Sequence, residues 1–267
     1  MTRLAVGVDV GATKIAAGLV DVDEGRVLRR ERVPTGPADG GGPVLTRAVA
    51  AAAAAAGDDA PLPVGVGICE TVDIDGRITS AAAVDWLDLD VAGGFAAVGP
   101  IAIESDVRAA ARAEAAFGAA HDRASALVVA VGTGISSCLV LDGRPWAGAR
   151  GNAIIVGAPP IEDEVGGAAV LMRTGRPFAE LLADPATAAE AERVAALVGR
   201  AVAALVNALD PAIVVLGGGI GTAPTMAERI GDAARPLIWS PATRGLPIAA
   251  ATLGADAGLI GAALAAP

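Results

Sequence analysis

Residues 6–25 read VGVDVGATKIAAGLVDVDEG. An apolar run meets Asp9, breaks at Gly11, Thr13 and Lys14, then turns apolar again. The spacing predicts a strand over 3–10, an antiparallel partner over 15–21, and a tight turn at GATK. Residues 26–33 (RVLRRERV) alternate in polarity and complete a three-stranded meander. A small-residue turn of this kind can aim backbone N–H groups at a phosphate, because glycine lets the backbone approach closely. Taken alone it is also an ordinary hairpin. It is not a P-loop: no Gly-Lys-Ser/Thr follows at the required spacing, and the turn joins strands instead of opening a helix.

Outward from this stretch, a glycine- and proline-rich loop (34–43) leads to a helix over 44–56. PVGVGIC (63–69) reads as a buried strand. GRITSAA (76–82) suits a strand after a turn at DIDG, and PIAIESDV (100–107) is a strand running into a helix over 107–119. The opening layout then recurs. ASALVVAVGTGISSCLVLDGRP (124–145) is an apolar run, a turn at Gly132, Thr133 and Gly134, and a second apolar run ending in Asp142-Gly143. This points to an approximate internal duplication: two similar α/β domains facing each other across a cleft. A helix is expected over 187–209, a strand over 212–220 ending in Gly217, Gly218 and Gly219, a further helix, a strand over 247–251 and a last helix from Ala255. The expected division is 1–107, with 255–267 packing back on it, and 108–254.

Composition narrows the function. The chain has 267 residues, enough for one large or two small domains. Its apolar fraction of 54% is mostly Ala and Val, which suits helices on sheets. It has no Tyr, three Trp and three Phe, too few for a base-stacking platform, and its net charge of −10 repels phosphate backbones. DNA and RNA are therefore not expected partners. The longest alanine run, 48–56, is about half a membrane span. The opening MTRLAVGVDV carries an acidic residue inside what a leader would need as an apolar core. Cys69 and Cys138 are far apart in apolar stretches and read as reduced buried thiols. A cytoplasmic protein without a membrane partner is expected.

Five segments in order resemble the ROK family of sugar kinases and related repressors, within the actin-like ATPase superfamily. VGVDVGATKIAAGLVD resembles its first phosphate motif. ESDVRAAARAEAAFGAA resembles its Asn-Asp-Ala-Asn-Ala-Ala-Ala-x-Gly-Glu segment. VVAVGTGISSCLVLDGRPWAGARGNA resembles the second phosphate motif. NALDPAIVVLGGGI resembles the adenosine motif, and LGADAGLIGAALAA the closing helix. The resemblance covers nearly the whole chain. It implies two actin-like (ribonuclease H-like) α/β domains with mixed sheets flanking a central cleft, a homodimer, and ATP with Mg²⁺ as cofactors. It implies that Asp9 helps hold the Mg²⁺ through water. Gly11, Thr13 and Lys14, with Gly132, Thr133 and Gly134, would approach the phosphates, and Gly217, Gly218 and Gly219 would leave room for adenosine. The catalytic base implied is Asp106, which in this sequence also suits a helix N-cap.

The sequence departs from the family around the acceptor. Ser105 stands where the family has a sugar-contacting Asn, and Arg108 where it has a second Asn. The family's Gly-x-x-Gly-Glu-Ile-Gly-His becomes GNAIIVGA (151–158), with Ile155 for the Glu and Ala158 for the zinc-binding His. The cysteine-rich zinc loop is missing, and His121 is the only histidine, so no zinc site is expected. Glu162 matches a family glutamate that contacts sugar, and also suits a helix start. Glu70 and Thr71 replace the family's Gly-x-Pro-Gly turn, and Asp85 is the polar residue nearest a missing sugar-binding Asn. Glu70 and Asp85 also read as solvated loop carboxylates. Losing partners on one side of a sugar ring leaves hydroxyls unpaired, at about 1–3 kcal/mol each. The expected activity is therefore phosphorylation of a primary hydroxyl on a sugar-like polyol other than glucose, such as a C7-cyclitol or an amino sugar. A glucokinase using ATP or polyphosphate, and a non-catalytic sugar-binding regulator, are the alternatives.

Overall fold

A computed structural model describes residues 2–154, 156 and 161–267. The chain opens with strands β1 (Leu4–Val10), β2 (Lys14–Asp21) and β3 (Arg26–Pro34), then helix α1 (Gly41–Ala56), β4 (Val64–Ile68), α2 (Val91–Phe95), β5 (Ile101–Ser105) and α3 (Asp106–Phe117). It repeats the scheme with β6 (Ser125–Val131), β7 (Ile135–Leu141) and β8 (Arg144–Pro145). Helices α4 (Glu162–Val165), α5 (Gly167–Thr174), α6 (Phe178–Ala183) and α7 (Ala188–Leu209) follow. The run closes with β9 (Val214–Gly217), α8 (Gly218–Gly221), α9 (Met226–Ala234), β10 (Ile248–Ala250) and α10 (Ala257–Ala265). Among the described residues no helix is long and apolar enough to cross a membrane.

Contacts divide the chain into two compact units: residues 1–117, 145–153 and 255–267, and residues 118–144 and 154–254. The first boundary falls after Phe117, not at 107 as the sequence suggested. Its cause is packing: α3 lies along α10, and Gly261 of α10 approaches the Ala109 carbonyl so closely that no side chain fits between them. The short segment 145–153 also belongs to the first unit.

In the first unit the sheet order is β3-β2-β1-β4-β5. The β1–β2 hairpin is in the register Val10↔Ile15 and Asp9↔Ala16, and β4 runs parallel to both β1 and β5. Central β4 reads VGVGI with every residue buried, as expected of a parallel strand covered on both faces. Val64, Val66 and Ile68 are each 0% exposed, and burying side chains of this size contributes about 1.5–3 kcal/mol apiece. Helix α1 covers β1, β2 and β3 with Val44, Ala48, Ala51, Ala52 and Ala55, the three-to-four spacing of one helical face. Helix α10 covers β1 and β4. It comes so near that a Cβ at Gly7 or Gly65 would stand 1.9 or 1.6 Å from the carbonyl oxygens of Leu259 and Ala262.

The second unit repeats the plan with sheet order β10-β9-β6-β7-β8. The 22-residue α7 packs against it through Val194, Val198, Val202 and Val206. Two expected strands differ. Residues 76–82 do not form a strand: they make a single bridge, Val72↔Ile78. Asp73 Oδ1 accepts the N–H groups of Asp75 and Arg77 and closes a turn, and the chain beyond Ile78 is drawn aside by Glu70. The expected strand 212–220 stops at Gly217, because Gly218 takes φ +74° and opens α8.

Candidate functional site

In the first unit the candidate residues lie at the carboxyl edge of β1, β4 and β5, the edge where open α/β sheets place ligands. The register sets Asp9 opposite Gly67 and Gly67 opposite Glu104, so Asp9, Cys69, Glu70 and Asp106 crowd the ends of three neighbouring strands. Asp106 is the first residue of α3, and its Oδ1 accepts its neighbour Val107's N–H at 2.6 Å. It therefore does stand at a helix start. Burial, with the charges of Asp9 and then Glu70, pushes its carboxyl up to about 7, despite the opposing Val107 hydrogen bond. Burial also raises Asp9 above the usual carboxylate range, partly offset by Lys14. Cys69 is pushed up to about 12 by burial, Asp106 and Glu70, so it is a neutral thiol and no nucleophile at physiological pH.

The Gly11–Lys14 turn projects from this edge, with Thr13 and Lys14 exposed. The Gly11 N–H donates to Lys14 O at 3.0 Å. Thr35, fully buried, secures the turn from behind. Its hydroxyl donates to Gly11 O at 2.6 Å and its N–H to Thr13 O at 3.2 Å, while Arg47 donates to Thr35 O. Neither Thr35 nor Arg47 was marked by the sequence reading. The available signal was one threonine at the junction of β3 and the glycine-rich loop.

Around this edge Arg108, Glu70 and Asp85 have definite partners, and the Ser105 hydroxyl does not. Ser105 is fully buried, and among the described residues its Oγ has no hydrogen-bond partner. Arg108 is 2% exposed: its Nε donates to Glu104, and its two terminal nitrogens donate at 2.8 Å to Gly151 O and Val72 O. It thus ties segment 145–153 and the 72–78 turn to α3. Glu70 is 3% exposed, so it is not the solvated loop carboxylate its position suggested. Asp85 is exposed, and its Oδ1 turns back to accept the Leu87 N–H at 3.2 Å.

The second unit holds the other candidate residues. In the Gly132–Gly134 turn, Gly132 N–H donates to Gly134 O at 2.9 Å, and the start of α5 donates to the turn from Gly167 and Ala168. Glu162, exposed at the start of α4, accepts the Ile135 N–H at 3.0 Å and so braces the same turn. Gly218 lies against it: a side chain there would be 2.4 Å from Val131 O, and its φ of +74° disfavours any other residue. Gly218 and Gly219 are exposed, whereas Gly217 is buried as the end of β9. The fold therefore gathers Gly132, Thr133, Gly134, Glu162, Gly217, Gly218 and Gly219 at one edge of this unit. Ile155 and Ala158 lie outside the described residues.

With two such edges built on repeated sheets, the comparisons with known proteins decide the family. The ROK family model matches residues 5–167 and 178–267. The chain belongs to the ROK family. It is 31% identical over 281 residues to the bifunctional enzyme NanE/NanK of Brucella melitensis, covering 96% of this chain and 52% of that protein. The chain thus spans about half the length of the curated relatives it matches first. A ROK family glucokinase from Streptomyces griseus, solved in complex with glucose and AMPPNP, superposes with a TM-score of 0.85 at 27% identity, covering 98% of this chain and 99% of that one. The ROK hexokinase from Thermus thermophilus superposes at 0.76 with 32% identity, covering 99% and 98%. The fold of this ROK protein is accordingly that of the ROK kinases, with two α/β actin-like halves.

Proposed function

We propose that this ROK protein transfers the γ-phosphoryl group of ATP to a primary hydroxyl of a sugar-like polyol. The observation that carries this reading is Asp106: a carboxylate at the carboxyl edge of the first sheet, beside Asp9, held near neutrality. A general base is most effective when its pKa lies near the working pH. Asp106 accepts the proton of the attacking hydroxyl as its oxygen bonds to the γ-phosphorus and the bond from that phosphorus to the β–γ bridging oxygen breaks, releasing ADP. Ser105, Glu70, Asp85 and Glu162 are proposed around the acceptor; Glu70 acts from behind its loop and Glu162 also braces the phosphate turn.

The residues also fit a magnesium nucleotide. Burial, and then the charge of Asp9, raises Asp106, so the two carboxylates form a place where a cation relieves charge, and Asp9 is proposed to hold Mg²⁺ through water. Gly11, Thr13 and Lys14, together with Gly132, Thr133 and Gly134, are proposed for the phosphates, and Gly217, Gly218 and Gly219 for the adenosine. When bound, the metal supplies positive charge that stabilises the phosphoryl oxygens.

The acceptor is proposed to differ from glucose. The support is sequence: Ile155, Ala158 and Ser105 stand at sugar-contacting positions of the family, which favours a C7-cyclitol or an amino sugar. A homodimer in the cytoplasm is part of the same proposal. ADP release, measured against glucose, amino sugars, cyclitols and no acceptor, tests it, with polyphosphate as the alternative donor. Turnover with ATP that depends on a polyol and is weaker with glucose is expected. Nucleotide and sugar binding without turnover for any acceptor would instead favour a regulator.

A further inference from the structure

Glu70 is a buried carboxylate with no ion pair among the described residues. Its oxygens are instead filled by one loop. Oε2 accepts the Ser80 hydroxyl and the Ala82 N–H (2.8 Å), and Oε1 accepts the N–H groups of Ala83 (2.6 Å) and Val84 (2.8 Å). Ser80 Oγ is held in turn by the Thr71 N–H at 2.9 Å. Four donors on one carboxylate saturate it, and stabilise a buried charge that would otherwise be costly. Residues 81–83 are all alanine, with Ala81 and Ala82 exposed. The loop hangs from the end of β4, next to the end of β5 from which Asp106 emerges.

We propose that Glu70 is a positioning residue that sets acceptor selectivity. By gathering the Ser80 hydroxyl and the N–H groups of Ala82, Ala83 and Val84 onto its own carboxylate, it fixes the course of this loop at the strand end next to the one that leads into Asp106. The three alanines it holds in place offer methyl groups and no polar side chain, a surface that favours acceptors carrying hydrogen, or a group ending in alkyl, at the ring position that meets it. A hydroxyl there would lose its water partners and find no side-chain partner among residues 81–83. This inference rests on the kinase reading above.

The test uses steady-state kinetics of the full chain with an accepted polyol and its monodeoxy analogues. In wild type, one monodeoxy analogue keeps kcat/KM within about threefold of the parent while the others lose about tenfold or more. Glu70→Gln sets an amide NH₂ against backbone donors and loosens the loop. It raises the acceptor KM about tenfold while leaving the KM for ATP within about twofold. Ser80→Ala, which removes one of the four donors and keeps the carboxylate, moves the acceptor KM the same way by a smaller factor and serves if Glu70→Gln does not fold. A panel in which every deoxygenation costs tenfold overturns the selectivity assigned to the alanine surface. Unchanged acceptor KM in a folded variant, or equal rises in both KM values, overturns the positioning role. Wild type that turns over no polyol overturns the kinase reading, and this inference with it.

Discussion

Asp106 would release its proton near 3.8 in an unfolded chain and releases it at about 7 in the fold. Between those values the folded protein binds more protons than the unfolded one. The group's stabilising contribution is therefore fully present below 3.8 and is lost as pH rises through about 7. Asp106→Asn should raise the melting temperature of the nucleotide-free protein relative to wild type at pH 8 and leave it little changed at pH 4. Thermal melts across that range check it; a difference that instead grew toward acid would contradict the assignment. Arg108→Ala leaves the Val72 and Gly151 carbonyls without their donor and breaks a buried ion pair with Glu104, a loss of about 3–5 kcal/mol by denaturant unfolding. At this scale the sequence was uneven. Asp106 stood out because its neighbours open a helix. Glu70 was visible as a departure, but its partners lie 10 to 14 residues away in an irregular loop, and no periodicity records such a link.

The elements most legible in the sequence were those with a repeating pattern. The alternation of 26–33, the apolar run of 63–69 and the helix expected over 187–209 map onto β3, β4 and α7 to within one residue at each end. The misread strand at 76–82 shows what overrides propensity: Asp73 closes a turn, and a buried carboxylate then pulls the following backbone out of line. Helix α10 carries a prediction of its own. Gly7→Ala would place a methyl group against the Leu259 carbonyl and push the helix from the sheet. The expected cost is about 1–3 kcal/mol of overpacking, read as a lower unfolding midpoint. Gly219→Ala, where nothing stands within 4 Å of the added carbon, is the matched control and should leave stability nearly unchanged.

For the molecule as a whole, the duplication inferred from two similar hairpins is written into the sheets. The order β3-β2-β1-β4-β5 is matched by β8-β7-β6-β9-β10, with Val10↔Ile15 answered by Val131↔Ile135. Each half places a small-residue turn at the end of its first hairpin, and the ROK kinases share this plan. What sequence periodicity did not convey was the distribution of segments between units, because the assignment of 108–117 and 145–153 depends on packing with distant parts of the chain. The central claim is group transfer from ATP with Asp106 as base, and phosphorus-31 NMR of a single reaction mixture tests it most directly. With ATP, Mg²⁺ and an accepted polyol, wild type should convert the γ-phosphate resonance into a phosphomonoester, and Asp106→Asn should do so about 10²–10⁴-fold more slowly. Equal rates in the two proteins, or release of inorganic phosphate alone from wild type, would contradict the account.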